Sequence, residues 1–205
     1  TFPTTGISVP YGLAIDQAGK LLVTGYFTGT VQLNESGQGL ISQSIDSSFP
    51  REVFVLKLHQ NGDLIWFSQS QSPIAQYQYN RGWSIVVDAN NDVIVGGYYS
   101  TQIRWGATEV IPPTPYPTLQ PYIAKLDGAD GALIWLRPGF DTQGTVAFSG
   151  IYGLAVGPDN EIYAAGLLDG EAEFDGIVVG PNAEGSSDAL LLKYSQDGNL
   201  QWAKV

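Results

Sequence analysis

The chain has 205 residues and contains neither cysteine nor methionine. The missing thiol excludes disulfides, thiolate nucleophiles and cysteine-bearing zinc sites. Charge is scarce too: Asp, Glu, Lys and Arg make up 14% of the residues, and 20 acids against 9 bases leave a net charge of -11. A field of that sign repels phosphate backbones and anionic lipid surfaces, so nucleic acid is not an expected partner. No apolar run approaches the roughly 20 residues that cross a bilayer, and no basic-then-apolar leader opens the chain, so a soluble molecule with no membrane span is expected. With no initiator methionine, Thr1 reads as a mature N-terminus left after removal of a leader, or as the edge of an excised or incompletely recorded chain.

Helix signals are nearly absent as well. Hydrophobic residues make up 43% of the chain, and its 25 Gly, 12 Pro and 12% aromatics are spread along the whole length. This is the composition of a folded all-β protein built from many short strands and tight turns. Scarce Lys, abundant Thr, Ser, Asn, Gln and Tyr, and the acidic balance fit a bacterial or archaeal protein that is secreted, extracellular or on the cell surface.

Two blocks recur three times. The first, strand–polar turn–strand, is Tyr11–Phe27, Gly82–Tyr99 and Tyr152–Leu168; the second is Val53–Trp66, Tyr122–Trp135 and Ala189–Trp202. Lys57, Lys125 and Lys193 lie 68 residues apart, and Gly25, Gly97 and Gly166 step by 72 and 69, a register that coincidence does not keep. Asn61-Gly62, Asp130-Gly131 and Asp197-Gly198 supply the positive φ that tight reverse turns need, so each block reads as a hairpin and each repeat as four strands. The repeats fall at approximately 1–70, 71–138 and 139–205, within a single unit spanning 1–205. Between the hairpins lie loops at 28–52, 100–120 and 169–188, with a Pro-rich core at Ile111–Pro117 and an extra edge strand expected at Thr30–Leu33 and its equivalents. The inner strands Leu13–Ile15, Ile85–Val87 and Leu154–Val156 are apolar throughout, as expected of strands buried on both faces. Trp66, Trp135 and Trp202 recur at one position and read as core or inter-repeat packing. Four-stranded units in tandem satisfy themselves by packing on their neighbours, and radial packing gives a β-propeller of three blades.

The run of inner strand ending in Asp, polar turn, Val-x-Gly strand, long loop, Phe-Val-x-Lys-Leu and Gly-x-x-x-Trp resembles the SBBP-type bacterial β-propeller repeat of secreted and cell-surface proteins. That resemblance covers nearly the whole chain and implies a propeller scaffold rather than a particular activity. Gly157 departs from the pattern, standing where the first two repeats carry Asp16 and Asp88. The stretch Ala124–Trp135 is also similar to the blades of quinoprotein dehydrogenases, in which the Trp docks one blade on the next; this implies a structural Trp rather than a quinone cofactor.

Three blades do not close a ring, since propellers have about four to eight. The chain ends just after the last strand of a repeat, and joining it to the start of a second copy would continue the repeat in register. A head-to-tail homodimer of six blades, a piece of a longer propeller and an open polymer all fit, so the ring is completed by another copy or by further blades.

Candidate chemistry is sparse. The single His59 sits beside a turn and reads as an exposed turn residue rather than a general base. The acids Asp169, Glu171, Glu173 and Asp175 alternate along an expected edge strand; they offer oxygen ligands to Ca²⁺, or serve as charges that guard a sheet edge. No other cofactor is expected. The turns Asp127–Gly131 and Asp88–Asp92 lack calcium-loop spacing, and Asx turns explain them. Ser195–Trp202 is similar to the Asp-box of sialidase propellers with the Gly one place early, and no opposed carboxylate pair marks a glycosidase. Aromatics that do not recur are the better candidates for a surface that stacks on a sugar or a protein: Trp83, Trp105, Tyr98, Tyr99 and Tyr116, with Tyr77 and Tyr79, and Arg81 and Arg104 nearby.

The leading expectation is a non-enzymatic extracellular scaffold that associates with itself or with other surface proteins. A glycan-binding propeller is the alternative, and a hydrolase or lyase at the channel mouth a second one. Fold alone does not choose among them.

Overall fold

The computed structural model describes residues 6–32, 39–41, 51–71, 78–111, 118–142, 148–180 and 187–205. The first repeat forms β1 (Ser8–Ile15), β2 (Leu21–Phe27), β3 (Thr30–Gln32), β4 (Gly39–Ile41), β5 (Glu52–Leu58) and β6 (Leu64–Gln69). The second forms β7 (Arg81–Val87), β8 (Val93–Tyr99), β9 (Ile103–Trp105), β10 (Thr108–Val110), β11 (Gln120–Leu126) and β12 (Leu133–Pro138). Then come β13 (Phe140–Asp141), β14 (Gly150–Val156), β15 (Ile162–Asp169), β16 (Ala172–Phe174), β17 (Ile177–Val179), β18 (Ser187–Tyr194) and β19 (Leu200–Lys204). The described residues contain no helix.

Three four-stranded antiparallel sheets result, in the orders β1-β2-β5-β6, β7-β8-β11-β12 and β14-β15-β18-β19. Of the edge strand expected at residues 30–33, Thr30–Gln32 is present as β3, paired with β4, and Leu33 lies outside the described residues; ribbons β9/β10 and β16/β17 are its counterparts. The first strands of the three sheets lie side by side, β7 touching both β1 and β14.

Each first strand carries a β-bulge at the same place. Pairing with the second strand runs Pro10↔Gly25 then Gly12↔Thr24, Gly82↔Gly97 then Ser84↔Gly96, and Ile151↔Gly166 then Gly153↔Ala165. The residues left over are Tyr11, Trp83 and Tyr152. The bulge also explains the recurring glycine. A Cβ at Gly25, Gly97 or Gly166 would collide with the carbonyl oxygen of Val9, Arg81 or Gly150, so only glycine fits.

The sheets pack face on face. Leu22, Val55 and Trp66 of the first sheet share a core with Ile85, Val93, Val95, Ala124 and Leu126 of the second. Ile94, Ile123 and Trp135, on the second sheet's other face, share a core with Ile162, Leu190, Leu192 and Tyr194 of the third. The first and third inner strands depart from the expected burial on both faces: Leu13 and Ile15 are 66% and 63% exposed and Ala155 is exposed, whereas Ile85, on the strand between them, is 5% exposed. Among the described residues no sheet covers that face of β1.

One clasp repeats at both joints. Lys57 Nζ and Trp66 Nε1 donate to the Gly128 carbonyl at 2.8 and 3.1 Å. Lys125 Nζ and Trp135 Nε1 donate to the Gln196 carbonyl at 3.5 and 3.2 Å. The acceptor is each time the turn of the next sheet's outer hairpin. The lysine is held from behind by an acid in its own sheet, Lys57 by Asp16 at 2.8 Å and Lys125 by Asp88 at 2.8 Å and Asp92 at 3.1 Å. That acid also closes its own turn, Asp16 Oδ1 accepting from the amides of Ala18 and Lys20, and Asp88 Oδ1 from those of Asn90 and Asp92. Burial alone would raise the Asp16 carboxyl, but the bonds from Lys57, Lys20 and Ala18 outweigh it and hold it below its ordinary 3.8. Burial likewise opposes the charge on Lys125, and Asp88 and Asp92 outweigh it, raising the ammonium above 10.5.

In the third repeat Gly157 occupies the acid's place, and Glu161, four residues on, reaches back into it. Glu161 Oε1 pairs with Lys193 at 3.1 Å and Oε2 accepts from the Asp159 amide at 3.0 Å. A Cβ on Gly157 would run into the Glu161 carboxylate. The carboxylate function is kept while its position in the sequence has moved.

Candidate functional site: an aromatic and arginine crest

The bulges place the three leftover aromatics next to one another. An extra residue in a strand re-aims its side chain, and here it is aromatic every time. Because β7 lies between β1 and β14, Trp83 stands between Tyr11 and Tyr152. It stacks on Tyr11 with centroids 4.0 Å apart and an interplanar angle of 25°, and meets Tyr152 edge-on at 5.6 Å. Tyr26 and Tyr98, one strand further out, flank the ladder, Tyr26 at 6.0 Å from Tyr11 and Tyr98 at 6.3 Å from Trp83.

Arg81 threads this group. Its guanidinium carbon lies 4.8 Å from the Tyr26 ring centre, 5.7 Å from Tyr98, 5.8 Å from Tyr11 and 5.9 Å from Trp83, and Nη1 donates to the Tyr11 hydroxyl at 3.3 Å. Arg51 adds a second cation over Tyr26 at 4.9 Å and Tyr79 at 5.0 Å. A planar, weakly hydrated guanidinium suits such a seat, and each cation–π contact contributes on the order of 0.5–2 kcal/mol. Tyr11 is 37% exposed and Tyr152 44%, while Tyr26 and Tyr98 are buried beneath. Burial raises the Tyr98 and Tyr152 phenols above 10.0, outweighing the pull of the nearby Arg81 charge. Both stay protonated at neutral pH. The crest can therefore stack on flat apolar groups, donate phenolic hydrogen bonds and offer fixed positive charge in an otherwise acidic molecule.

Of the residues singled out from sequence, Trp83, Tyr98, Tyr79 and Arg81 meet here. Tyr99 and Trp105 do not. They are 0% and 2% exposed core residues, Tyr99 packed edge-on to Tyr122 and Trp105 donating from Nε1 to Ser68 Oγ at 2.8 Å, so neither offers a contact surface. Arg104 lies on the separate β9/β10 ribbon, paired across from Glu109. Tyr116 and Tyr77, with most of the Pro-rich segment, lie outside the described residues. His59 is an exposed turn residue with Nδ1 3.2 Å from Lys20 Nζ.

The four acids do not converge. Asp169 Oδ2 accepts from the Phe148 amide, Glu171 from the Thr142 hydroxyl, Glu173 sits on β16 opposite Phe140, and Asp175 lies 3.9 Å from Arg137. Among the described residues no group of three or more His, Asp or Glu is placed to hold a metal.

Tyr11, Tyr152, Tyr26 and Arg51 belong to the crest and were not singled out. The signal for the first two was available, because Tyr11, Trp83 and Tyr152 stand at one repeat position. A change of aromatic type in the middle repeat hid the equivalence.

No protein-family model matches the chain. It is similar to an uncharacterized WD repeat-containing protein of Acanthamoeba polyphaga mimivirus, at 26% identity over 101 residues. The match takes in 48% of this chain and 7% of that protein, so the chain spans a small fraction of its relative's length. The similarity is to a protein built of repeats and agrees with the all-β, multi-sheet architecture.

Proposed function

We propose that this chain is a stretch of β-propeller whose three sheets are blades, and that it works as a protein-interaction scaffold with the crest as its contact surface. One observation carries the reading: three sheets each spend a bulge on an aromatic, and those aromatics gather around Arg81 with Tyr11 and Tyr152 partly open to solvent. Aromatics and arginine dominate binding energy at protein interfaces because they bring large rigid area and few freezable torsions. The side-by-side first strands, the SBBP-like pattern and the similarity to a WD repeat-containing protein support the propeller. The composition supports a secreted or cell-surface setting. The partner that fits the crest presents flat apolar groups together with carboxylates.

The test compares the wild-type chain with Tyr11→Ala/Tyr152→Ala, which removes exposed rings and leaves the buried tier intact. Photo-crosslinkers placed at the crest and at the distant Thr108 are read by mass spectrometry in an extract of the source cells, and the same proteins are run on a glycan array. A protein partner crosslinked at the crest, lost in the double variant at unchanged melting temperature, supports the proposal. Equal capture by both proteins, or glycan binding that the double variant loses, overturns it.

A further inference from the structure

The two internal joints define what a third joint needs, and the outer faces of the first and third sheets carry its two halves. On the third sheet Lys193 and Trp202 repeat the donors that Lys57/Trp66 and Lys125/Trp135 give to the following hairpin. Trp202 is partly exposed beside Tyr163, and an apolar groove runs along this face past Ala155, Ala165 and Leu191. Leu191 is 49% exposed, whereas its equivalents Val55 and Ile123 are 0% and 1% exposed under the neighbouring sheet.

The first sheet carries the matching receptacle. Gly131 and Gly198 leave room for the preceding tryptophan: a Cβ there would come within 2.7 Å of Trp66 and 2.8 Å of Trp135. Gly62 keeps the same left-handed turn, φ 91°, with nothing within 4 Å of its Cβ position. The Gln60 carbonyl is the counterpart of the Gly128 and Gln196 acceptors, three residues beyond the repeated lysine. Leu13 and Ile15, 66% and 63% exposed, stand where Ile85 and Val87 pack against the preceding sheet.

A further detail selects the occupant. At both internal joints an asparagine side chain of the later sheet accepts an amide of the earlier one: Asn91 from Gln17 at 3.1 Å and Asn160 from Ala89 at 2.9 Å. The first sheet has Gly19 at the asparagine's place, and the third has Pro158, with no N–H, at the amide's place. Acceptor and donor are thus missing from the two faces that a head-to-tail contact would bring together. Deleting both partners of a hydrogen bond is nearly neutral, while deleting one strands the other. The face of the third sheet therefore suits a first sheet of this sequence better than a generic repeat.

We infer that the open face of the third sheet docks the open face of the first sheet of a second copy of this chain, with Trp202 and Lys193 closing on the Gly62 turn. The contact is heterologous, so each copy offers one half to the next. By the pattern of the internal joints, where Trp83 stacks on Tyr11 and meets Tyr152, the contact also brings Tyr152 of one copy beside Tyr11 of the next and so adjoins the crest, but sedimentation reads it without the crest's partner.

The test is sedimentation of the 205-residue chain together with Leu13→Asp and Leu191→Asp, each charge placed on an exposed residue of one half. The wild type is expected at a multiple of 22.0 kDa. Each variant alone is expected at 22.0 kDa with association weakened by roughly a hundredfold or more, because a carboxylate would be buried unpaired. An equal mixture of the two is expected to form a two-copy species, since each variant retains the half the other has lost. A wild type that stays at 22.0 kDa at all concentrations overturns the inference. So do variants that associate as the wild type does, or a mixture that stays monomeric.

Discussion

The second and third sheets are built from the same two hairpins yet differ in burial. Strands β8 and β11 are buried at every residue, while β15 and β18 alternate between buried and open positions. Ile123 and Leu191 are equally apolar and stand at equivalent positions, and they differ only in whether a neighbouring sheet lies over them. Burial in this molecule is a property of the joint rather than of the strand. The clasp shows the same contrast: Lys125 is enclosed between its own acids and the next hairpin, whereas Lys193 has Glu161 behind it and the Tyr163 ring at 5.1 Å.

The largest effect separating the two sheets is expected at these lysines. Lys125→Met leaves Asp88 and Asp92 facing each other unpaired, and breaking a buried pair in this way costs about 3–5 kcal/mol. Lys193→Met, on the open sheet, is expected to cost clearly less. Urea unfolding of the two variants measures the gap, and equal losses would remove the distinction between joint and free face.

A smaller effect sharpens the comparison between the acid's two sequence positions. Glu161→Lys removes the partner of Lys193 and places a second cation beside it, so the third repeat should be destabilised. Adding Gly157→Asp recreates the Asp16/Lys20 arrangement of the first repeat and is expected to recover most of the loss in a thermal melt. Failure of that rescue would mean that the third repeat's turn differs in more than the origin of its carboxylate.

The smallest effect is the pH dependence. Asp16 is held below its ordinary value, so the stability it contributes is complete above 3.8 and is lost as the pH falls through its lower folded value. Asp16→Asn should therefore be less stable than the wild type at pH 7, with the difference shrinking in unfolding experiments below pH 3.8. Lys125 works in the opposite sense, its contribution being present below 10.5 and lost as the pH rises through its raised value.

Much of this arrangement was legible in the sequence. The spacing of Lys57, Lys125 and Lys193 and the recurring tryptophans identified the four-stranded repeat, because a clasp made at each joint imposes the same residues at the same place. Gly25, Gly97 and Gly166 were visible as a repeat, but their cause was not, since a carbonyl pushed forward by a bulge leaves no mark beyond the glycine itself. The crest was half legible. Trp83, Tyr98 and Arg81 stood out by type, whereas Tyr11 and Tyr152 were hidden because equivalence across repeats had to be read at the level of aromatic character. Tyr99 and Trp105 misled for the same reason: Phe27 stands at the place of Tyr99 and Phe174 at that of Trp105, all four buried, so a change of aromatic type hid positions that recur because they are core. The relocation of the acid from the place of Gly157 to Glu161 depends on a side chain folding back over a turn, which spacing alone does not reveal.

The joint between sheets is the unit that organises this chain, and one pair of tryptophans puts that to the test. Trp135 is buried against the third sheet and Trp202 occupies the same repeat position on the open face. Equilibrium unfolding of monomeric protein is expected to show a loss of about 3–5 kcal/mol for Trp135→Ala, as for other large buried side chains, and a much smaller loss for Trp202→Ala. Equal losses at the two positions would show instead that the tryptophans stabilise their own sheets rather than the joints between them.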